Sequence, residues 1–378
     1  MVTLEQHISR QKLNSRTGGD ISTPLGLVQE MVNKIPLEVK KDPNKKFFDP
    51  AAGTGSFIII LFYELKKYHS EEHILNNMLY AGESNRFKLR MLKNLGIKNI
   101  YGGSFPEQDF KDMRFDVILG NPPYNEGKNS TESRNARSLY VKFIDKITEL
   151  SPEYSLLVIP YTWMISKKQE CRDTRNNFYN LGLKSIIHTG PNTFGKNVNV
   201  DTIITFTEKG YKEDINNIRY ILKENIISQQ SPHKITFNPN NNFIPLSWDS
   251  KSFNMGKNLK LNNNNLKIKV GEHKVKRGFK GIIKGSTQTT WRVSYAYLTG
   301  MESALYRKSY IREITLVEPG IGITNKNKYI ECSSKKSALE LFNTLSSQET
   351  QIYLSMISRG SSLENWMINS LPNLKNSY

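Results

Sequence analysis

Asn121-Pro122-Pro123-Tyr124 combines four residue types whose chemistry points one way. Asn121 carries a side-chain carbonyl oxygen. Pro123 confines Pro122 to an extended conformation, and both prolines fix φ and lack an N–H, so the Pro122 carbonyl has little freedom. Two fixed acceptors beside the Tyr124 ring suit a planar ring bearing an exocyclic NH2: each acceptor takes one N–H and Tyr124 stacks on the ring. The plain alternative is a proline turn after a strand.

The elements around the tetrapeptide decide what it faces. Phe115–Gly120 is a short apolar run that predicts a buried strand, so the tetrapeptide sits beyond a strand's carboxyl end, where α/β sheets present ligands. Phe47-Phe48 predicts a second strand, followed by the loop Asp49-Pro50-Ala51-Ala52-Gly53-Thr54-Gly55 and an apolar helix over 57–65. Gly53 and Gly55 fit a loop that turns tightly and admits a ligand to its backbone. The loop lacks the Gly-x-Gly-x-x-Gly dinucleotide spacing, and no Gly-Lys-Ser/Thr follows. Residues 78–83 predict a strand ending at Glu83, where an acid in a nucleotide-type fold accepts ribose hydroxyls; a surface acid is the alternative. The polar run 66–72 accounts for a separation from Gly55 longer than the about 20 residues usual in that fingerprint.

Other segments predict the frame. Leu27, Val28, Met31, Val32 and Ile35 recur at helical spacing behind Ser22-Thr23-Pro24, with Ser22 or Thr23 as N-cap and Pro24 in the first turn. Residues 97–101, 155–160 and 185–188 predict strands, and 139–150 a buried helix. His188 fits a strand-end core position better than a general base. Residues 125–137 read as a polar loop beside the tetrapeptide, suited to closing on a substrate. Residues 192–206 predict a hairpin.

The 378 residues predict two domains, and 37% hydrophobic with 23% charged residues fits a soluble protein with a real core. No apolar run has membrane-spanning length, the N-terminus lacks a signal-peptide pattern, and two cysteines form neither a disulfide framework nor a metal cluster; a cytoplasmic setting without metal is the expectation. The net charge of +18 points to a polyanion partner, nucleic acid first. Eleven Lys/Arg face one acid, Glu272, between residues 251 and 300. Lys274, Lys276, Arg277, Lys280, Lys284 and Arg292, interleaved with Thr, Gln and aromatics, suit phosphate contacts with some base reading. A solvated charged face is the alternative. No helix-turn-helix or zinc-finger spacing occurs.

The tetrapeptide resembles the Asp/Asn/Ser-Pro-Pro-Tyr/Phe motif of the amino-methylating DNA methyltransferases, and Asp49–Phe57 looks like their S-adenosylmethionine loop. The two lie about 70 residues apart, as ends of neighbouring parallel strands should. Thr23-Pro24, the cofactor loop, Asn-Pro-Pro-Tyr and a basic C-terminal region follow the order of the gamma subgroup, and the resemblance covers about residues 17–210. It implies an α/β fold, a Rossmann-like doubly wound methyltransferase sheet, with residues 1–210 as the S-adenosyl-L-methionine-binding catalytic domain and 211–378 as a basic target-recognition domain. It implies catalysis by Asn121, Pro122 and Tyr124, and cofactor contacts from Thr23, Pro24, Asp49, Ala51, Gly53, Gly55, Glu83, Ser104, Phe105, Asn121 and Pro123. Ser104 stands where the family often has an Asp for the cofactor's adenine amino group; Phe105 would stack on that ring, and Asp109 is a second acid five residues on. Phe194 matches an aromatic that packs, with Tyr124, on the target base. The expected activity is sequence-specific N6-adenine methylation of double-stranded DNA, the base flipped from the helix.

The alternatives are N4-cytosine, RNA or protein-glutamine amino-methylation, or a silent DNA-binding module. Carbon-5 cytosine chemistry would need a cysteine nucleophile, typically after proline; Cys171 and Cys332 follow Glu170 and Glu331.

Overall fold

The computed structural model describes residues 23–124, 138–189, 193–194, 202–221, 237–238, 244, 264–274, 281–296, 311–357, 363–375 and 378. The chain packs as two units, Met1–Asn240 and Asn241–Tyr378.

The first unit is built on one sheet. Its strands are β1 Phe47–Asp49, β2 Leu79–Glu83, β3 Asn99–Gly102, β4 Val117–Gly120, β5 Tyr154–Pro160, β6 Leu183–Thr189, β7 Thr202–Glu208 and β8 Asn216–Ile221. They lie in the order β3-β2-β1-β4-β5-β7-β6-β8. β3 through β5 are parallel, and β7 runs antiparallel between β5 and β6. From β1 the chain winds outward through β2 to β3, then crosses back to β4 on the other side of β1. That reversal leaves a crevice at the carboxyl ends of β1 and β4. The expected α/β doubly wound architecture is the one observed.

Strand residues alternate between the two faces with the period of two that a pleated sheet imposes. Phe47, Leu79, Ala81, Val117, Leu119, Leu156 and Val158 share a core with helix α1 (Leu25–Asn33), helix α2 (Ser56–Leu65) and Leu92 of helix α3 (Arg86–Asn94). α1 buries Leu27, Val28, Met31 and Val32, the predicted stripe. α2 buries nearly its whole circumference, as its uniformly apolar sequence requires. Phe48, one residue on from Phe47, belongs to an aromatic cluster with Phe105, Phe110 and Phe115, and Phe105 in turn meets Phe143 of helix α4 (Leu139–Leu150). Helix α5 (Gln169–Leu181) packs on α4. A short helical turn and a π-helical turn over Ile74–Met78 take up the extra length between α2 and β2.

The expected domain boundary at residue 210 falls too early. β8 lies beyond it and pairs in parallel with β6, extending the same sheet, so the first unit runs on to Asn240.

The second unit contains a four-stranded antiparallel sheet and a separate two-stranded pair. The sheet has the order β12-β11-β14-β9, from β9 Ile268–Val270, β11 Trp291–Ala296, β12 Arg312–Val317 and β14 Asn327–Cys332. The pair is β10 Ile282–Lys284 with β13 Ile321–Ile323. Helices α6 (Lys335–Ser346), α7 (Gln348–Ile357) and α8 (Asn365–Asn369) bury Leu341, Leu345, Leu354, Ile357 and Met367 with Val293, Tyr295 and Ile330 of the sheet. The C-terminal stretch therefore belongs to the second unit's core. Ser334 caps α6 through a reciprocal bond pattern with Ser337.

Candidate active site

β1, β2 and β4 end in Asp49, Glu83 and Gly120, and parallel pairing sets these ends side by side. Asp49 is 1% exposed. Its Oδ1 accepts the Ala51 N–H at 3.1 Å, while Oδ2 is buried with no hydrogen-bond partner among the described residues. Burial pushes its carboxyl up to about 8; the Ala51 N–H opposes the rise and the nearby Glu83 charge adds to it. A buried carboxylate oxygen without a donor is a place for a cation or a polar hydrogen from a ligand.

Glu83 holds the loop after β1. Its Oε2 accepts the Gly53 N–H at 2.9 Å and its Oε1 the Asn85 N–H at 2.8 Å. Each oxygen keeps a further lone pair for a hydroxyl. Asn85 in turn caps α3, accepting from the N–H groups of Phe87 and Lys88 at 2.9 and 3.2 Å. The loop closes tightly: the Ala52 N–H reaches the Gly82 carbonyl at 2.8 Å, and the Gly55 N–H the Ala52 carbonyl at 2.7 Å. Gly55 has φ 94°, and a Cβ there would lie 2.8 Å from Leu95 Cδ1. Only glycine meets both conditions.

Asn121 stands across the crevice. Its Nδ2 donates to Thr23 Oγ1 at 3.1 Å, and its Oδ1 accepts from the Tyr124 hydroxyl at 2.9 Å. Thr23 is 5% exposed, Pro122 is buried, Pro123 is exposed, and Asn121 and Tyr124 are half-buried. Burial raises the Tyr124 phenol above its ordinary value, so it stays a protonated donor. Gly120 brings the two halves together: a Cβ there would meet Asp49 Oδ1 at 2.6 Å.

The structure thus gathers Thr23, Asp49, the loop of Ala51, Gly53 and Gly55, Glu83 and Asn121–Tyr124 at one end of the sheet. Thr23 is not a helix cap, however. Pro24 occupies the N-cap position of α1 without a side-chain bond, and the Thr23 hydroxyl goes to Asn121 instead; Ser22 lies outside the described residues. Phe105 does not offer a free ring face. It is 2% exposed, with ring centroids of Phe48, Phe110 and Phe143 at 5.7, 5.7 and 5.1 Å, because the apolar interior claims it. Ser104 leads into the turn Phe105–Glu107 without making a side-chain cap bond, and it borders a cavity of about 570 Å3 shared with Leu139, Lys142 and Asp145. Asp109 is exposed and paired with Lys111 at 3.0 Å. Phe194 is half-buried and packs against the first unit's core. His188 is wholly buried, and burial takes its pKa down to about 3, so it is a neutral core ring.

Among the basic residues, Lys274 and Lys284 are exposed. Lys276, Arg277, Lys280 and the loop 125–137 lie outside the described residues. Arg292 cannot be a phosphate contact: it is 0% exposed, its Nη1 pairs with Glu272 at 3.3 Å, and Nη2 donates to the Ile321 carbonyl. β11 is buried on both faces, and Arg292 lies on the face opposite the core residues Val293 and Tyr295, which its neighbours in sequence do not reveal. Gly120 and Asn85 escape motif reading as well. An Asx residue just past a strand and ahead of a basic amphipathic segment was the available signal for Asn85.

Residues 58–194 match the model of the Eco57I restriction-modification methylase family. The matched segment runs from α2 through Asn-Pro-Pro-Tyr to Phe194. Among curated proteins, an uncharacterized adenine-specific methylase of Mycoplasma pneumoniae is 41% identical over 59 residues, 15% of this chain and 14% of that protein. The methylase subunit of the type I restriction enzyme MjaIX of Methanocaldococcus jannaschii is 29% identical over 123 residues, 31% of this chain and 21% of that subunit. The chain thus spans between one seventh and about a fifth of the curated relatives it matches. Solved structures that resemble it include the M protein of the type I restriction enzyme EcoKI, at 17% identity and a TM-score of 0.42 over 53% of this chain and 48% of that one. A nuclease-deletion mutant of the type ISP enzyme LlaGI, in complex with a DNA substrate mimic, is 13% identical with a TM-score of 0.46 over 74% of this chain and 34% of that one.

Proposed function

We propose that this chain is a DNA methyltransferase that uses S-adenosyl-L-methionine to methylate the N6 amino group of an adenine flipped out of double-stranded DNA. The observation that carries the reading is the placement of Asn121: a side-chain amide oxygen at the carboxyl end of β4, beside the buried, unsatisfied Asp49 Oδ2 at the end of β1. The site residues fit the cofactor. Its ammonium answers the missing donor at Asp49, its ribose hydroxyls the spare lone pairs of Glu83, and the glycine loop admits its chain to the backbone. Bound there, the cofactor supplies an electrophilic methyl group.

The protein's share is preorganisation. The exocyclic nitrogen of adenine is a poor nucleophile because its lone pair is delocalised into the ring. Acceptance of both N–H groups, at Asn121 Oδ1 and the Pro122 carbonyl, favours a more tetrahedral nitrogen with a localised lone pair. The Tyr124 hydroxyl leaves Oδ1 as the amine arrives, and its ring, with Phe194, stacks on the base. Extrusion costs a few kcal/mol, which stacking helps offset. The second unit is the target-recognition part, with Lys274 and Lys284 on phosphates and the undescribed Lys276, Arg277 and Lys280 in the same basic run. Sequencing of modified bases in DNA exposed to the purified chain tests this. N6-methyladenine at a defined site is expected, and DNA left without methylated adenine refutes it.

A further inference from the structure

An asparagine amide has two ends of nearly equal size and opposite hydrogen-bonding sense. If the NH2 end of Asn121 faced the target, it would oppose another NH2 and accept nothing. Something must keep the oxygen outward. Tyr124 cannot do so during turnover, because its hydroxyl occupies the position on Oδ1 that an incoming amine needs. Thr23 touches the opposite end. It is 5% exposed, immediately precedes the Pro24 N-cap of α1, and its hydroxyl, unused as a helix cap, lies 3.1 Å from Nδ2 of Asn121, 98 positions away in the chain. α1 is seated by Leu27, Val28, Met31 and Val32 in the core, so Thr23 is carried on a fixed element. Entry of a base on the oxygen side leaves this contact in place.

We propose that Thr23 is a positioning residue whose hydroxyl, by accepting from Asn121 Nδ2, holds the amide with its oxygen toward the target amine. This rests on the amino-methylation reading of the same site, and it differs from a role in holding the cofactor. Thr23→Val removes the acceptor at nearly constant shape. Saturating turnover should fall about tenfold, within the range that loss of one hydrogen bond supports. Cofactor affinity, measured by equilibrium titration, should stay within twofold, and Thr23→Ser should restore turnover. In an Asn121→Asp background the two carboxylate oxygens make a flip irrelevant, so Thr23→Val should there change turnover by less than twofold. A Thr23→Val chain with weakened cofactor binding and normal saturating turnover overturns the proposal, as does an equal loss in both backgrounds.

An activity-independent readout separates this idea from the function it rests on. In the full chain labelled with 15N at asparagine, the Asn121 side-chain NH2 signal, assigned by its loss in Asn121→Asp, should exchange slowly with solvent. It should exchange markedly faster in Thr23→Val. Unchanged exchange overturns the positioning role even if DNA is methylated, whereas accelerated exchange in a chain that methylates no DNA upholds the contact and sinks the proposed reaction.

Discussion

At the scale of single residues the site is a set of polar atoms held short of satisfaction. Asp49 carries the clearest physical consequence. Its folded-state pKa of about 8 stands far above the ordinary 3.8, so the folded chain keeps a proton there that the unfolded chain has lost. Between those values stability falls as pH rises, and the fall levels off above about 8. Thermal melts of the ligand-free chain should show this decline, and Asp49→Asn should remove it while weakening cofactor binding. An ammonium placed against Asp49 Oδ2 favours the carboxylate, so cofactor uptake near pH 7 should release a proton. Calorimetry in buffers of different ionisation enthalpy measures that release, and a heat independent of buffer would contradict the assignment. Asn121→Ala should lower methyl transfer by at least about 100-fold, the scale of a lost preorganised contact, with cofactor affinity changed no more than a few-fold. Near-normal turnover would remove Asn121 from the mechanism.

The elements explain why those atoms meet. β1 and β4 are neighbours, and the chain allows their ends to touch only because residue 120 has no side chain: a Cβ would sit 2.6 Å from Asp49 Oδ1. Gly120→Ala should therefore destabilise the fold by roughly 1–3 kcal/mol and reduce cofactor affinity, both readable from denaturant melts and titration. Phe105 makes the opposite point. The family resemblance implies a ring for stacking there, yet it is packed into the aromatic cluster with Phe48, Phe110 and Phe143. Phe105→Ala should cost about 3–5 kcal/mol of stability, as a buried phenylalanine does. A variant that lost cofactor binding at full stability would restore the stacking role.

Between the described basic residues of one window, burial and not sequence position separates the roles. Lys274, Lys284 and Arg292 belong to one basic window, but the lysines are exposed and the arginine is sealed against Glu272 and the Ile321 carbonyl. Replacement of both lysines by glutamine should weaken DNA binding and reduce its dependence on salt by about two counterions' worth of slope. Arg292→Met should leave that slope unchanged and lower stability by roughly 1–3 kcal/mol, since charge-assisted hydrogen bonds are lost. An affinity flat across salt concentration would contradict the phosphate contacts proposed for the second unit.

The sequence by itself determined the strands of the parallel half, α1, α2 and α4, and the acid, glycine and Asn-Pro-Pro-Tyr groups at strand ends. These depend on local causes: apolar period, proline-fixed φ, and turn-forming glycine. It did not disclose that Thr23 serves Asn121 rather than α1, that Phe105 and Arg292 face inward, or that β8 completes the first sheet. Each of those is set by a partner distant in the chain. The short strands of the second unit, lysine- and asparagine-rich with weak alternation, were invisible for the same reason: their pairing, not their composition, defines which side of each strand meets a core.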